Sequence, residues 1–193
     1  MARTKDFDEE EVLNKAVCLF WQKGFNGTSM QELVDHLNIS RSSLYDTYVD
    51  KRTLYLKALS FYQGATWKRF ESMLAHETSA TATIKKLLEL ITSDLLSDRQ
   101  HKGCFMVNAE VEVAPHDTDV KEIVQKSEDQ IEETFRATIQ KGQRSGELSA
   151  KKDARALARF FLNTVKGIRV SAKSTPDPKI FQDIIKTAMT VLV

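Results

Sequence analysis

Glycine and proline are scarce in this chain of 193 residues, at seven and three. A β-rich fold needs many tight turns, so this scarcity argues against strands and for long helices with few breaks. Two cysteines, Cys18 and Cys104, stand far apart with no metal-like Cys/His cluster around either, so neither a zinc site nor a disulfide framework is expected. No apolar run approaches the roughly 18 residues that a bilayer span requires. The polar, acidic stretch from Met1 to Glu11 has no apolar core of a signal peptide, and a cytoplasmic protein is expected. Charge of one sign is also missing. The chain carries a net +1, and residues 1–60 hold Lys/Arg at 3, 5, 15, 23, 41, 51, 52 and 57 against Asp/Glu at 6, 8, 9, 10, 11, 32, 35, 46 and 50. Charge by itself therefore gives no sign of nucleic acid. Nothing reads as a phosphate-cradling glycine loop, a nucleophile elbow or a metal-binding His-Glu pair, and the four histidines are scattered; no enzyme, cofactor or metal is expected.

What remains is helical periodicity. With 41% hydrophobic and 28% charged residues, the chain has an ordinary globular composition. Asp6 and Asp8 are placed to cap a first helix whose apolar positions are Val12, Leu13, Ala16, Val17, Leu19 and Phe20, closed by Gly24. Cys18 is read with that buried face. Thr28 or Ser29 caps a second helix over 29–37, and Glu32 three residues after Ser29 fits a capping box. Asn38 tolerates the left-handed turn that follows; Ser40 caps a third helix over 41–48 and Asp50 a fourth over 51–75. Further helices are predicted at 80–97, 103–113, 118–143, 150–173 and 178–192. The predicted fold is all-α, with about nine helices: a three-helix helix-turn-helix domain over 1–50 and a helical domain over 51–193.

Within this frame Leu33, Val34, Leu37, Ile39 and Leu44 are spaced to lock helices two and three together. Arg41, Ser42, Ser43 and Thr47 are left on the outer face of helix three. Small side chains at 42 and 43 permit close approach to base edges, Arg41 suits a bidentate guanine contact, and Thr47 reaches a base or phosphate. Arg3 and Lys5 form a short basic arm suited to a minor groove.

The run Thr28–Leu54, with Leu33-Val34, Ile39-Ser40, Leu44-Tyr45, Tyr48 and Lys51, resembles the DNA-binding signature of the TetR/AcrR regulator family, and Ala16, Phe20, Gly24 and Phe25 follow its first-helix pattern. Asn38 stands where that family usually has glycine, Val34 where alanine is common, and Asp46 puts an anion on the third helix. The resemblance implies that Thr28, Ser40, Tyr45, Tyr48 and Lys51 lie near DNA phosphates, fixing register without reading sequence. It also implies a near-palindromic double-stranded operator, a small-molecule effector enclosed by the second domain, and a homodimer formed through the last two helices. Ala154, Leu157, Ala158, Phe161, Leu162, Val165, Ile168 and Arg169, with Phe181, Ile184, Ile185, Ala188 and Val191, are assigned to that dimer face. Trp67, Phe70, Met73, Cys104, Phe105, Met106 and Asn108 are candidates for the effector pocket, with Glu110, Glu112 and His116 as further polar anchors.

The expected function is a repressor released from DNA by a ligand. Two alternatives share the scaffold. Cys104, at a helix start after His101 and Lys102, suits a thiol sensor of oxidants or electrophiles. The neutral N-terminal half and Asp46 suit a helical interaction module whose DNA face has decayed.

Overall fold

The computed structural model describes residues 7–74 and 77–192; the Arg3/Lys5 arm and the side chain of Met73 lie outside what is described. The described residues form nine α-helices and a final 3-10 turn, with no strand. These are α1 Glu9–Lys23, α2 Met30–Leu37, α3 Arg41–Tyr48, α4 Lys51–Leu74, α5 Ala80–Ser97, α6 Phe105–Glu112, α7 Thr118–Arg144, α8 Ala154–Ser171 and α9 Pro178–Met189. None is long and apolar enough to cross a membrane.

Local chemistry sets the early boundaries. The Asp8 carboxylate accepts from the Glu10 and Glu11 amides, satisfying two orphan donors of α1. Gly24 ends that helix at φ 78°, its N–H donating to Phe20 O. Ser29 and Glu32 close a reciprocal capping box on α2, and Asn38 breaks it in the left-handed region. Ser40 accepts from the Ser43 amide at 3.0 Å, and Asp50 from the Thr53 amide at 2.6 Å. Between them Val49 sits at φ 64°, a conformation that a β-branched residue adopts only under strain.

Later boundaries differ from expectation. α8 starts at Ala154 rather than 150, because Asp153 caps it and Gln143 donates to Ser149 O and Lys152 O, holding 149–152 as a turn. The final stretch tightens into a 3-10 turn over Thr190–Leu192. The start of α5 is held from a distance: the Glu147 carboxylate accepts from Ser79 Oγ and from the Ala80 and Thr81 amides, all at 2.7–2.8 Å. These donors hold its carboxyl at about 2, down from 4.5. The ionised form is the one that stabilises, so its contribution is complete above pH 4.5 and disappears as pH falls toward 2. Glu147→Gln should therefore cost about 1 kcal/mol at pH 7, the size of a lost helix cap. The gap from wild type should close in denaturant titrations between pH 4.5 and 2.

Two apolar clusters fill the molecule. The first gathers Val12, Phe20, Leu33, Leu37, Leu44 and Tyr48 with Leu54, Tyr55 and Phe105, so it joins α1–α3 to the front of α4 and to α6. The core of the N-terminal unit thus extends well past residue 50. The second gathers α5, the rear of α7, α8 and α9 around Phe135, Phe161 and Phe181, with Phe135 and Phe161 stacked at 5.4 Å.

Two assignments need correcting. Cys18 is exposed; it lies on the side of α1 opposite Ala16 and Phe20, because two residues along a helix turn the side chain by about 200°. On α8 and α9, Ala158, Phe161, Val165, Ile168, Phe181, Ile185 and Ala188 are buried within their own domain, not offered to a partner. The apolar side chains that do face outward there are Phe160, Val170 and Ile180, at 42%, 52% and 42% exposed.

Candidate functional site

The third helix buries Leu44 and Tyr48 completely and turns Arg41, Ser42, Tyr45 and Asp46 outward, with Ser43 and Thr47 half-buried beside them. Leu33 and Leu37 of α2 hold it from behind. The short side chains at 42 and 43 leave the start of α3 uncrowded, and Arg41 has no ion-pair partner among the described residues. The Ser40 hydroxyl lies 2.9 Å from Ser42 Oγ and 2.8 Å from Ser43 Oγ, so the α3 start carries three hydroxyls beside the helix N–H groups. Hydroxyls, amides and one guanidinium on a convex helix suit a polyanion with readable edges. The face is poor in cations: Asp46 offsets Arg41, and Lys23 is paired with Glu32.

Three residues expected at phosphates are turned inward. Thr28 is 1% exposed and its hydroxyl donates to Gly24 O at 2.6 Å, stitching the α1–α2 turn. Tyr48 is fully buried, and burial together with Glu9 pushes its hydroxyl up to about 12. Lys51 donates to Phe25 O at 3.0 Å and Thr28 O at 2.9 Å, with its ammonium 4.3 Å from the centre of the Phe25 ring. The lysine is a clamp on the turn before α2. Lys51→Met should lower stability by about 1–3 kcal/mol, since two partly buried carbonyls lose a charged donor. The salt dependence of DNA binding should be unchanged; a slope smaller by about one per protomer would restore the phosphate role.

Behind this unit are two cavities of about 400 and 430 Å³, both touching Phe70 and Ile91. The first is walled by Trp21 of α1, Tyr62, Thr66 and Arg69 of α4, Leu95 of α5, Cys104 and Arg169. The second is walled by Trp67, Leu87 and Ile131, with Thr134 and Thr138. Trp67, Phe70 and Cys104 therefore line cavities. Cys104, 4% exposed, precedes α6 without a side-chain cap bond. Burial raises the Tyr62 hydroxyl, with the Cys104 side chain as a hydrogen-bonding neighbour.

Phe105 and Asn108 do not line either cavity. Phe105 lies inside an aromatic cluster, 5.7 Å from Tyr55, 5.6 Å from Tyr62 and 6.4 Å from Trp21. Asn108 donates to Lys102 O and accepts from Lys173 Nζ, fastening the loop before α6 to the end of α8. Glu110 is bound with Glu128 to Lys166, each at 2.5 Å. Glu112 accepts from the Phe25 amide at 3.1 Å and the Asn26 amide at 2.8 Å. A side chain at Gly24 would meet that carboxylate at 2.7 Å and push it from the Phe25 and Asn26 amides.

The residues missed in sequence are Trp21, Tyr62, Thr66 and Arg169. Tyr62, Thr66 and Phe70 recur at four-residue spacing, a signal that was available. Arg169 within the stripe Val165, Ile168, Ala172 was available too, as a charge on an otherwise apolar face. Trp21 carried no such mark.

A family model described as "Bacterial regulatory proteins, tetR family" matches residues 12–58, and one described as "Tetracyclin repressor-like, C-terminal domain" matches 80–188. The uncharacterized HTH-type transcriptional regulator YezE of Bacillus subtilis (strain 168) is 32% identical over 193 residues, covering all of both chains. The HTH-type transcriptional repressor ComR of Escherichia coli (strain K12) is 27% identical over 172 residues, 89% of this chain and 82% of that one. A cysteine mutant of the TetR family transcriptional regulator CifR, complexed with 26-bp double-strand operator DNA, superposes with a TM-score of 0.88 at 26% identity, covering 99% of this chain and 100% of that one.

Proposed function

The chain belongs to the TetR family of bacterial transcriptional regulators, and from that premise we propose that it is a homodimeric repressor that a small molecule releases from its operator. It is a DNA-binding regulator of the helix-turn-helix type. The observation that carries the proposal is the placement of α3, whose Leu44 packs against Leu33 and Leu37 of α2 while Arg41 and Ser42 are exposed at its start. In this reading Arg41 takes a base edge, Ser42, Ser43 and Thr47 allow or make close contacts, and Ser40 and Tyr45 meet phosphates.

The dimer forms through the outward stripe of α8 and α9, where Phe160, Val170 and Ile180 leave apolar surface beside Gly167. Two copies related by a two-fold axis then present their α3 helices to successive major grooves about 34–36 Å apart. The effector occupies the cavity beside Trp21 and favours a different spacing of the two α3 helices. A ligand does this only through unequal affinity for the two arrangements. The lever is short. Trp21 is on the same helix as Phe20, which packs edge-on against Tyr55 at 5.0 Å within the N-terminal core.

Footprinting of the purified protein on DNA flanking its own coding region, with salt titration, tests this. Protection of a near-palindromic site by two protomers is the expected result. Weak binding indifferent to sequence, persisting after selection from random DNA, would overturn it.

A further inference from the structure

Arg169 is the one charged residue buried to better than nine-tenths among the described residues, at 8% exposed, and its guanidinium has no hydrogen bond or ion pair among them. It lines the 400 Å³ cavity. The other charges on that wall are balanced. Arg69 holds Asp94 at 2.7 Å, and Asp98 accepts from the Lys102 amide at 2.8 Å with the Lys102 ammonium at 3.6 Å. That ammonium also lies 4.9 Å from the centre of the Trp21 ring. With Lys102 standing outside the lining against Asp98, Arg169 is the charge on this wall that has no partner of opposite sign among the described residues. A second group is short of a partner on the same wall: the Trp21 indole N–H is buried with no acceptor among the described residues.

A largely buried guanidinium that reaches a cavity without a protein partner is placed to hold an anion that enters it. Everything unsatisfied here is a donor, so the complement is an acceptor bearing negative charge. Trp21, Tyr62, Phe70, Ile91 and Leu95 give the wall apolar and aromatic surface, with Thr66, Ser97 and Cys104 as small polar groups between them. We infer that the effector is an apolar monocarboxylate, with its carboxylate held by Arg169 and its aromatic or alkyl body against Trp21 and Phe70. A planar guanidinium matches a carboxylate in two parallel hydrogen bonds. This deepens the proposed function and rests on it, since it names the chemical class of the effector.

The second cavity has no buried cation: its one unpaired cation among the described residues, Lys141, is exposed. Glu77 on its wall is paired with Lys86, and Glu71 accepts the Trp67 N–H at 2.8 Å. The first cavity is also the one with a wall in α1, so a carboxylate bound there touches the DNA-binding unit directly.

The test is calorimetric titration of the full chain with octanoate, phenylacetate and naphthoate, each beside its neutral amide, with operator binding followed in parallel. At least one carboxylate should bind wild type roughly tenfold to hundredfold more tightly than its amide, the worth of a charged hydrogen-bonded pair. Arg169→Gln should erase that preference and Arg169→Lys should keep part of it. Without ligand, Arg169→Met should melt no lower than wild type, because it retains the stem and removes the unpaired charge. The inference is overturned if no carboxylate is preferred, if the preference survives Arg169→Gln, or if ligand-free Arg169→Met melts markedly lower, which would make the arginine structural. An amide that binds and releases DNA would leave the effector reading standing while overturning the carboxylate. A carboxylate that binds through Arg169 without changing DNA affinity would support this site and overturn the effector reading.

Discussion

With Arg41 replaced by alanine, affinity for the operator is expected to fall roughly thirtyfold to twenty-thousandfold, and discrimination at one base pair of each half-site to be lost. The range follows from about 1–3 kcal/mol for one bidentate base contact, counted twice because a two-fold dimer places two copies on DNA. Arg41 is the first residue of α3, exposed, and without an ion pair to break. Its removal should therefore leave the melting temperature within experimental scatter. Titrations against the operator and its single-base-pair variants provide the measurement. If affinity fell equally on all sequences, and the salt slope fell with it, Arg41 would be a phosphate contact instead.

Glu112→Gln gives the second large effect, on coupling between the domains. The carboxylate at the end of α6 holds the Phe25 and Asn26 amides, tying the α1–α2 turn to the element that begins at the cavity with Cys104. Glutamine keeps the shape but turns one acceptor into a donor facing an N–H. The expected loss is about 1–3 kcal/mol at that contact. Hydrogen exchange at the Phe25 and Asn26 amides should accelerate roughly tenfold to hundredfold. Release of DNA by effector, which in such systems typically spans roughly 5-fold to 150-fold, should shrink toward none. A second tie remains in the variant: Arg52 of α4 bonds Asp117 at 2.6 and 2.9 Å and Asp119 at 2.6 Å. The N-terminal unit should stay folded and still bind DNA. An undiminished effector response would show that the signal travels through α4 alone.

The parts of this molecule that were legible beforehand are those decided within a few residues. Ser29 with Glu32, Ser40, Asp50 and Gly24 each satisfy or end a helix by local chemistry, and each boundary lies where that chemistry put it. The exposed side of α3 was legible from Leu44 alone; Tyr48, expected at phosphates, lies on the buried side with it. Thr28 and Lys51 were misplaced because a polar side chain beside a turn can serve either solvent or the turn's own carbonyls. Which it serves depends on where α4 lies relative to Phe25, and spacing along the chain does not contain that. The dimer face failed differently. Periodicity on α8 finds its most apolar side, and that side is consumed by Phe135 and its neighbours on α7. The weaker stripe of Phe160 and Val170 is hidden behind it. Arg169 was counted with the apolar face, where its charge was the informative part. Its meaning emerged only once no carboxylate was found beside it.

The shortage of cations on the DNA face bears on how the protein distributes itself in a cell. On α3 the only full charges are Arg41 and Asp46, and Lys23 and Lys51 are occupied within the protein. Binding to arbitrary DNA comes chiefly from counterions released by Lys and Arg at phosphates, so among the described residues the α3 face supplies little of it. On the proposed function, the expected result is that most copies stay free in solution and reach the operator by three-dimensional diffusion, with a non-specific affinity too weak for sliding; competition with bulk genomic DNA measures it. Promoter occupancy would then track the number of molecules made rather than the amount of competing DNA, so few copies would be needed to keep one site closed.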